Sequence, residues 1–209
     1  MKRCIIFCAG GFDALAQSVE PQDVTIAADG GVNHTRRLGI TPRYILGDFD
    51  SLGFVPQGAE VFPVEKDDTD AMLAVKKGLA LGCNRFYLYG ALDGPRLDHT
   101  IANLQTLIYL AQRGAVGYLI GKEYIISTLT AGSLTFPKEF TGIFSLFCLG
   151  QDARGVTIRG AKYEAENVTL TADFPLGVSN GFTGQAVAIS LQQGTILLLW
   201  DRKNGILPE

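Results

Sequence analysis

Hydrophobic and polar positions change their period about halfway along the chain. In the first half, short apolar runs alternate with helix-like stretches. CIIFCA (4–9), VTIAA (24–28), RYILG (43–47), RFYLYG (85–90) and VGYLIG (116–121) are compact and apolar, as strands buried on both faces are. Between them, Asp70 to Ala80 sets Ala71, Val75 and Leu79 on one stripe, with Asp68 or Thr69 as N-cap and Gly82 as stop. Asp98 to Arg113 sets Ile101, Leu104, Ile108 and Ala111 on another, with Gly114 ending it. Strands alternating with helices predict a doubly wound (Rossmann-like) parallel sheet, in which ligands sit at the carboxyl ends of the strands.

From about Tyr124 the pattern is different. SLTF, GIFSLFCL, GVTIRG, NVTLTA, AVAISL and TILLLW are short, β-branched or aromatic, and separated by Gly, Asp, Asn or Pro. No helix is predicted after Arg113. The expected fold class is therefore α/β, with an N-terminal parallel-sheet domain (1–125) and a C-terminal antiparallel β-sandwich or jelly-roll-like domain (126–209). KEYIISTLTAGS is expected to carry the chain across the boundary, near 122–133.

Composition narrows the partners. Of 209 residues, 47% are hydrophobic and 19% charged, which is globular, and the net charge of −3 comes without a basic run. Neither nucleic acid nor an anionic membrane is an expected partner. No apolar stretch is long enough to span a bilayer, and the N-terminal run breaks at Gly10-Gly11 before reaching signal-peptide length. Cys4, Cys8, Cys83 and Cys148 have no metal-ligand spacing and read as buried thiols, so the expected location is the cytoplasm.

Candidate chemistry lies where apolar strands run into acidic, Gly-containing turns: IAADGG (26–31), YILGDFDS (44–51), PVEKDDTD (63–70) and LYGALDGPRLDH (88–99). In a parallel sheet these turns open at one edge. That would gather Asp29, Asp48, Asp50, Asp67 or Asp68, Asp70 and Asp98 in one cleft. Two carboxylates ~4 Å apart repel by roughly 4 kcal/mol at an effective dielectric of 20. The cluster must then take up protons or bind a cation. Oxygen ligands without His or Cys suit a hard ion, and Mg²⁺ shared with substrate phosphates is the usual case. Gly30, Gly31, Gly47, Gly90 and Gly94 allow backbone N–H groups to approach phosphate, and Lys66 and Arg96 can neutralise it.

In order and spacing, ADGG-x-N (28–33), GDFDS (47–51), K-D-x-T-D (66–70) and R-L-D-H-x-x-x-N-L (96–104) resemble the catalytic domain of thiamine pyrophosphokinases. GVTIRGAKY (155–163) and VSNGF (178–182) resemble that family's thiamine-binding β domain. The resemblance spans essentially the whole chain and implies transfer of a pyrophosphoryl group from ATP to thiamine, giving thiamine pyrophosphate and AMP. It implies a homodimer with the active site between subunits. It also implies Asp48, Asp50 and Asp70 as magnesium ligands, with Asp29 beside them. Gly30, Asn33, Lys66, Asp67, Thr69, Arg96, His99 and Asn103 would serve the metal–nucleotide complex. Asp98 would face thiamine or its hydroxyl, with Ser179, Asn180 and Phe182 contacting thiamine from the partner subunit. The chain departs from the family's Gly-x-x-Gly-Gly-Arg-x-Asp-His turn: Gly90 to His99 carries one residue more, and Asp93 and Pro95 interrupt the double glycine.

From the residues alone two other readings stand. One is a magnesium phosphohydrolase with Asp48 as nucleophile; the other is a nucleotide or thiamine sensor without turnover. His34 and Trp200 are expected to be packing residues.

Overall fold

The computed structural model describes residues 1–207; the last two positions of the expected second domain lie outside them. The fold is mixed α/β, in two compact units that divide between Lys122 and Glu123.

In the first unit, strands β1 (Arg3–Phe7), β2 (Val24–Ala28), β3 (Tyr44–Gly47), β4 (Glu60–Val61), β5 (Arg85–Tyr89) and β6 (Val116–Ile120) lie in the order β6-β5-β1-β2-β3-β4. Every pairing along this row is parallel. β2 and β5 are buried at every position, which accounts for their unbroken apolar runs. The two-residue β4 has no such run, and the sequence pattern passes over it.

Helix α1 (Gly31–Leu38) packs on β1 and β2, α2 (Asp70–Ala80) on β1, β2 and β3, and α3 (Leu97–Ala111) on β6. Thr69 is the N-cap of α2, its hydroxyl accepting the Met72 N–H at 3.2 Å, and Gly82 follows the helix in a left-handed conformation. Helix α3 is turned relative to the expected stripe. Its buried residues are Asn103, Thr106, Leu107 and Leu110, while Ile101 is exposed. The cause is local. Gly117 on β6 has no side chain, and a β-carbon there would lie 2.7 Å from both Leu107 and Leu110, so these two seat against the strand.

The second unit is antiparallel. It comprises β7 (Tyr124–Phe136), β8 (Ile143–Cys148), β9 (Ala153–Arg159), β10 (Ala165–Leu170), β11 (Asn180–Gly181) and β12 (Val187–Asp201). The segment expected to be a connection is thus the 13-residue strand β7. AVAISL and TILLLW, expected as two strands, form the single strand β12, irregular between Leu191 and Thr195. β12 pairs with β7 along its length, with β9 through its first half and with β8 through its second. Phe136, Phe140, Phe144, Phe182 and Trp200 form a connected aromatic cluster with ring centroids 4.9–5.7 Å apart. Trp200 is fully buried and donates to the Gly205 carbonyl at 2.9 Å, a packing residue as expected. Among the described residues no helix is long and apolar enough to cross a membrane.

Gly31 fixes the seat of α1. A β-carbon there would lie 1.9 Å from the Phe7 carbonyl oxygen, a backbone atom of the central strand. Gly31→Ala should therefore lower unfolding free energy by about 3 kcal/mol or more, measured by chemical denaturation followed by circular dichroism.

Candidate metal and phosphate site

The acidic turns after β2 and β3 are built together. Asp29 follows β2 in a left-handed conformation (φ 46°), its amide donating to the Leu46 carbonyl at 2.9 Å. Gly47, at the end of β3, packs so closely that a β-carbon would lie 3.1 Å from the Asp29 Cα and N. Phe49 is also left-handed (φ 59°) yet buried at 3% exposure. For a bulky residue that backbone is strained, and its burial holds the turn in place. Asp48 and Asp50 stand on either side of it, with the Asp50 N–H reaching Asp48 Oδ1 at 3.3 Å.

As a result, Asp29, Asp48 and Asp50 can each offer a carboxylate oxygen within 4.8 Å of the others. Lys66 is the counter-charge. Its ammonium donates to Asp48 Oδ2 at 2.6 Å and to the Pro63 carbonyl at 3.2 Å, and lies 3.2 Å from Asp70 Oδ1. The Lys66 hydrogen bond holds the Asp48 carboxyl below its ordinary range. Burial works to lower the pKa of Lys66, but Asp48 and Asp70 outweigh it, and the ammonium is held charged. Asp70 moves the other way: burial raises its pKa, Lys66 opposes, and repulsion from Asp48 and Asp29 adds to the rise.

Asp29 Oδ2 accepts the Ser51 hydroxyl at 2.8 Å, while its buried Oδ1 has no hydrogen-bond partner. Asp70 Oδ1 is likewise buried, with the Lys66 ammonium 3.2 Å away as its ion-pair partner. A buried carboxylate oxygen left unpaired on Asp29, beside three carboxylates that can each offer an oxygen within 4.8 Å of the others, fits a hard divalent cation by the chemistry of the donor set.

The other expected site residues are placed as follows. Gly30 is buried against Ala9, and Asn33 is exposed on the first turn of α1. Asp67 is exposed, while Asp68 binds Lys76 at 2.7 Å. Arg96 and Asp98 form an exposed ion pair at 2.6 Å, and Arg96 also feels the charge of Asp50. The Arg96 hydrogen bond holds the Asp98 carboxyl below its ordinary range. His99 is exposed at the start of α3. Asn103 is buried and donates its amide to the Ala91 carbonyl at 2.8 Å, so it holds the loop after β5.

In the second unit, Ser179 is exposed and left-handed (φ 60°), its amide donating to Ser145 Oγ at 3.0 Å. Asn180 is buried with its amide spent on both backbone groups of Tyr163, and Phe182 belongs to the aromatic cluster.

Three contacts were not assigned from the motifs. His34 Nε2–H donates to the Gly10 carbonyl at 2.8 Å while its ring packs on Phe12, 4.7 Å between centroids. Ser51 orients Asp29, and Ser145 holds Ser179. The last Ser of GDFDS was the one readable clue.

The model of the thiamin pyrophosphokinase catalytic domain matches residues 15–117, and that of the thiamin pyrophosphokinase vitamin B1 binding domain matches residues 133–196. The chain is 26% identical over 183 residues to the thiamine pyrophosphokinase of Bacillus subtilis, covering 83% of this chain and 85% of that one. Its fold is similar to the crystal structure of the Bacillus subtilis thiamine pyrophosphokinase, with a TM-score of 0.86 at 24% identity over 96% of this chain and 99% of the other. A thiamin pyrophosphokinase family protein from Enterococcus faecalis gives a TM-score of 0.80 at 26% identity, over 96% and 99% of the two chains. The yeast thiamin pyrophosphokinase gives 0.71 at 15% identity, over 96% and 86%. With models of both domains of one family falling in order along it, the chain belongs to the thiamin pyrophosphokinase family.

Proposed function

We infer that this protein is a thiamine diphosphokinase, transferring the β,γ-pyrophosphoryl group of ATP to the hydroxyl of thiamine and releasing AMP. The convergence of Asp29, Asp48 and Asp50 within 4.8 Å, in a chain matched by both domain models, carries the reading. The matches lend no support to a phosphohydrolase or a sensor.

Residues 1–125 are assigned as a doubly wound ATP- and magnesium-binding domain, and residues 126–209 as a β-sandwich thiamine-binding domain. Asp48, Asp50 and Asp70 would hold magnesium, with Asp29 beside them. When bound, the ion supplies positive charge to the polyphosphate oxygens. The chain's own groups do the positioning. Lys66 and Arg96 neutralise phosphate charge, and Asp67, Thr69, Gly30, Asn33 and His99 line the nucleotide. Asn103 acts through the Ala91 carbonyl that it holds. Asp98, ionised beside Arg96, would accept the proton leaving the thiamine hydroxyl. In-line phosphoryl transfer asks for little more than such alignment and charge, so no Ser or Cys nucleophile is needed.

Ser179 is assigned to thiamine, with Asn180 and Phe182 fixing its strained turn. In a homodimer these residues would serve the partner subunit's nucleotide. The location assigned is the cytoplasm, where ATP and thiamine meet.

Incubated with thiamine, ATP and Mg²⁺, the protein should form AMP and thiamine pyrophosphate in equal amounts. ADP or inorganic phosphate in their place would sink the assignment. Asp50→Asn and Asp70→Asn should each lower kcat at least about a hundredfold while circular dichroism stays unchanged; near-normal turnover in either removes that residue from the metal site. Ser179→Ala should raise KM for thiamine more than KM for ATP in steady-state assays, and an equal rise in both would take Ser179 out of the thiamine site.

A further inference from the structure

The order of strands in the parallel sheet reverses between β1 and β5. From β1 the row runs outward through β2, β3 and β4 on one side, and through β5 and β6 on the other. In open parallel sheets such a switch opens a crevice at the carboxyl ends of the strands. The loops after β1, β5 and β6 meet there. Gly10 and Gly90 cross so closely that a β-carbon on either would lie 2.5 Å from the other's carbonyl oxygen, and the Gly10 N–H donates to the Gly90 carbonyl at 2.9 Å.

Asp93 ties all three loops together. Its backbone carbonyl accepts the Gly11 N–H from the loop after β1, at 3.1 Å. Its carboxylate Oδ2 accepts the Lys122 N–H from the end of β6, at 2.6 Å. Gly121 makes room for that carboxylate, since a β-carbon there would lie 2.7 Å from Oδ2. The Lys122 side chain then lies over Gly11, where a β-carbon would be 3.1 Å from Lys122 Cε and 3.5 Å from Nζ. The result is an ammonium lying beside a backbone turn at the switch point, a pairing suited to phosphate oxygens. Asp93 also stands in the turn, Gly90 to His99, that carries one residue more than the pattern it resembles. The Asp93 carboxylate keeps its charge, but Oδ2 is turned onto the Lys122 amide.

We propose that Asp93 is a positioning residue of the nucleotide site, bracing the loops after β1, β5 and β6 so that Lys122 stands over Gly11 to meet the polyphosphate of ATP. The proposal rests on the reading above that ATP binds at these strand ends. Lys122 is not among the residues that the motifs pick out.

The test compares the intact protein with Asp93→Ala, Asp93→Asn and Gly121→Ala. It measures the Kd for Mg–ATP without thiamine, KM for both substrates, and hydrogen exchange at the Gly11 and Lys122 amides. Asp93→Ala should weaken ATP binding by about tenfold, the worth of one hydrogen bond to a charged group. It should also speed exchange at the Lys122 amide and leave KM for thiamine nearly unchanged. Asp93→Asn keeps an acceptor for the Lys122 N–H and should restore ATP binding to within about threefold of the unmodified protein. Gly121→Ala should reproduce Asp93→Ala by displacing the carboxylate. An Asp93→Ala protein that binds ATP normally, or loses both substrates equally, overturns the proposal, as does an Asn variant as weak as the Ala one. If the unmodified protein itself fails to bind ATP, the functional reading falls, and the proposal with it.

Discussion

The Lys66 ammonium is what allows the acidic edge of the first unit to exist. Asp48 and Asp70 both lie within ion-pairing distance of it, and Asp48 is held ionised by its hydrogen bond. Without that charge, carboxylates from three successive turns would meet in partly buried surroundings with only each other for company, at a cost of several kcal/mol. The compensation is incomplete. Asp29 Oδ1 is buried without a partner, and burial pushes Asp70 toward its protonated form. That residue of unsatisfied charge is also what suits the donors of this edge to a hard cation.

The backbone spends strain to reach this arrangement. Asp29 and Phe49 are both left-handed, and Gly47 is pressed against Asp29. What stabilises the strained turn is burial of the Phe49 ring, so an apolar side chain with no chemistry of its own sets the spacing of the two acids around it. A similar division holds in the second unit. There Asn180 and Phe182 are buried and Ser179 is left exposed in a strained conformation.

The parts of the molecule legible in the sequence are those governed by local pattern. Apolar runs marked five strands of the first unit because strands buried on both faces must be apolar throughout, and Thr69 marked the start of α2 because its hydroxyl is the nearest acceptor for an orphan N–H. Features set by distant partners were not legible. The burial face of α3 depends on Gly117, a residue of the following strand. The merging of two apolar runs into β12 depends on β7, which pairs across both. At the site, Asp29, Asp48, Asp50 and Lys66 could be read because each belongs to a motif. The contacts of His34 with Gly10 and Ser145 with Ser179 could not, since they join residues 24 and 34 positions apart and no spacing rule relates them.

β12 is the shared neighbour of β7, β8 and β9. As the chain leaves the ribosome, those three strands emerge before residues 187–201 exist to pair with them. The parallel sheet of residues 1–122 is complete as soon as its own last strand appears, whereas the antiparallel unit is held back until β12 is made. During that interval the edges of β7 and β8 that β12 will occupy are unpaired, and unpaired strand edges are open to misassembly.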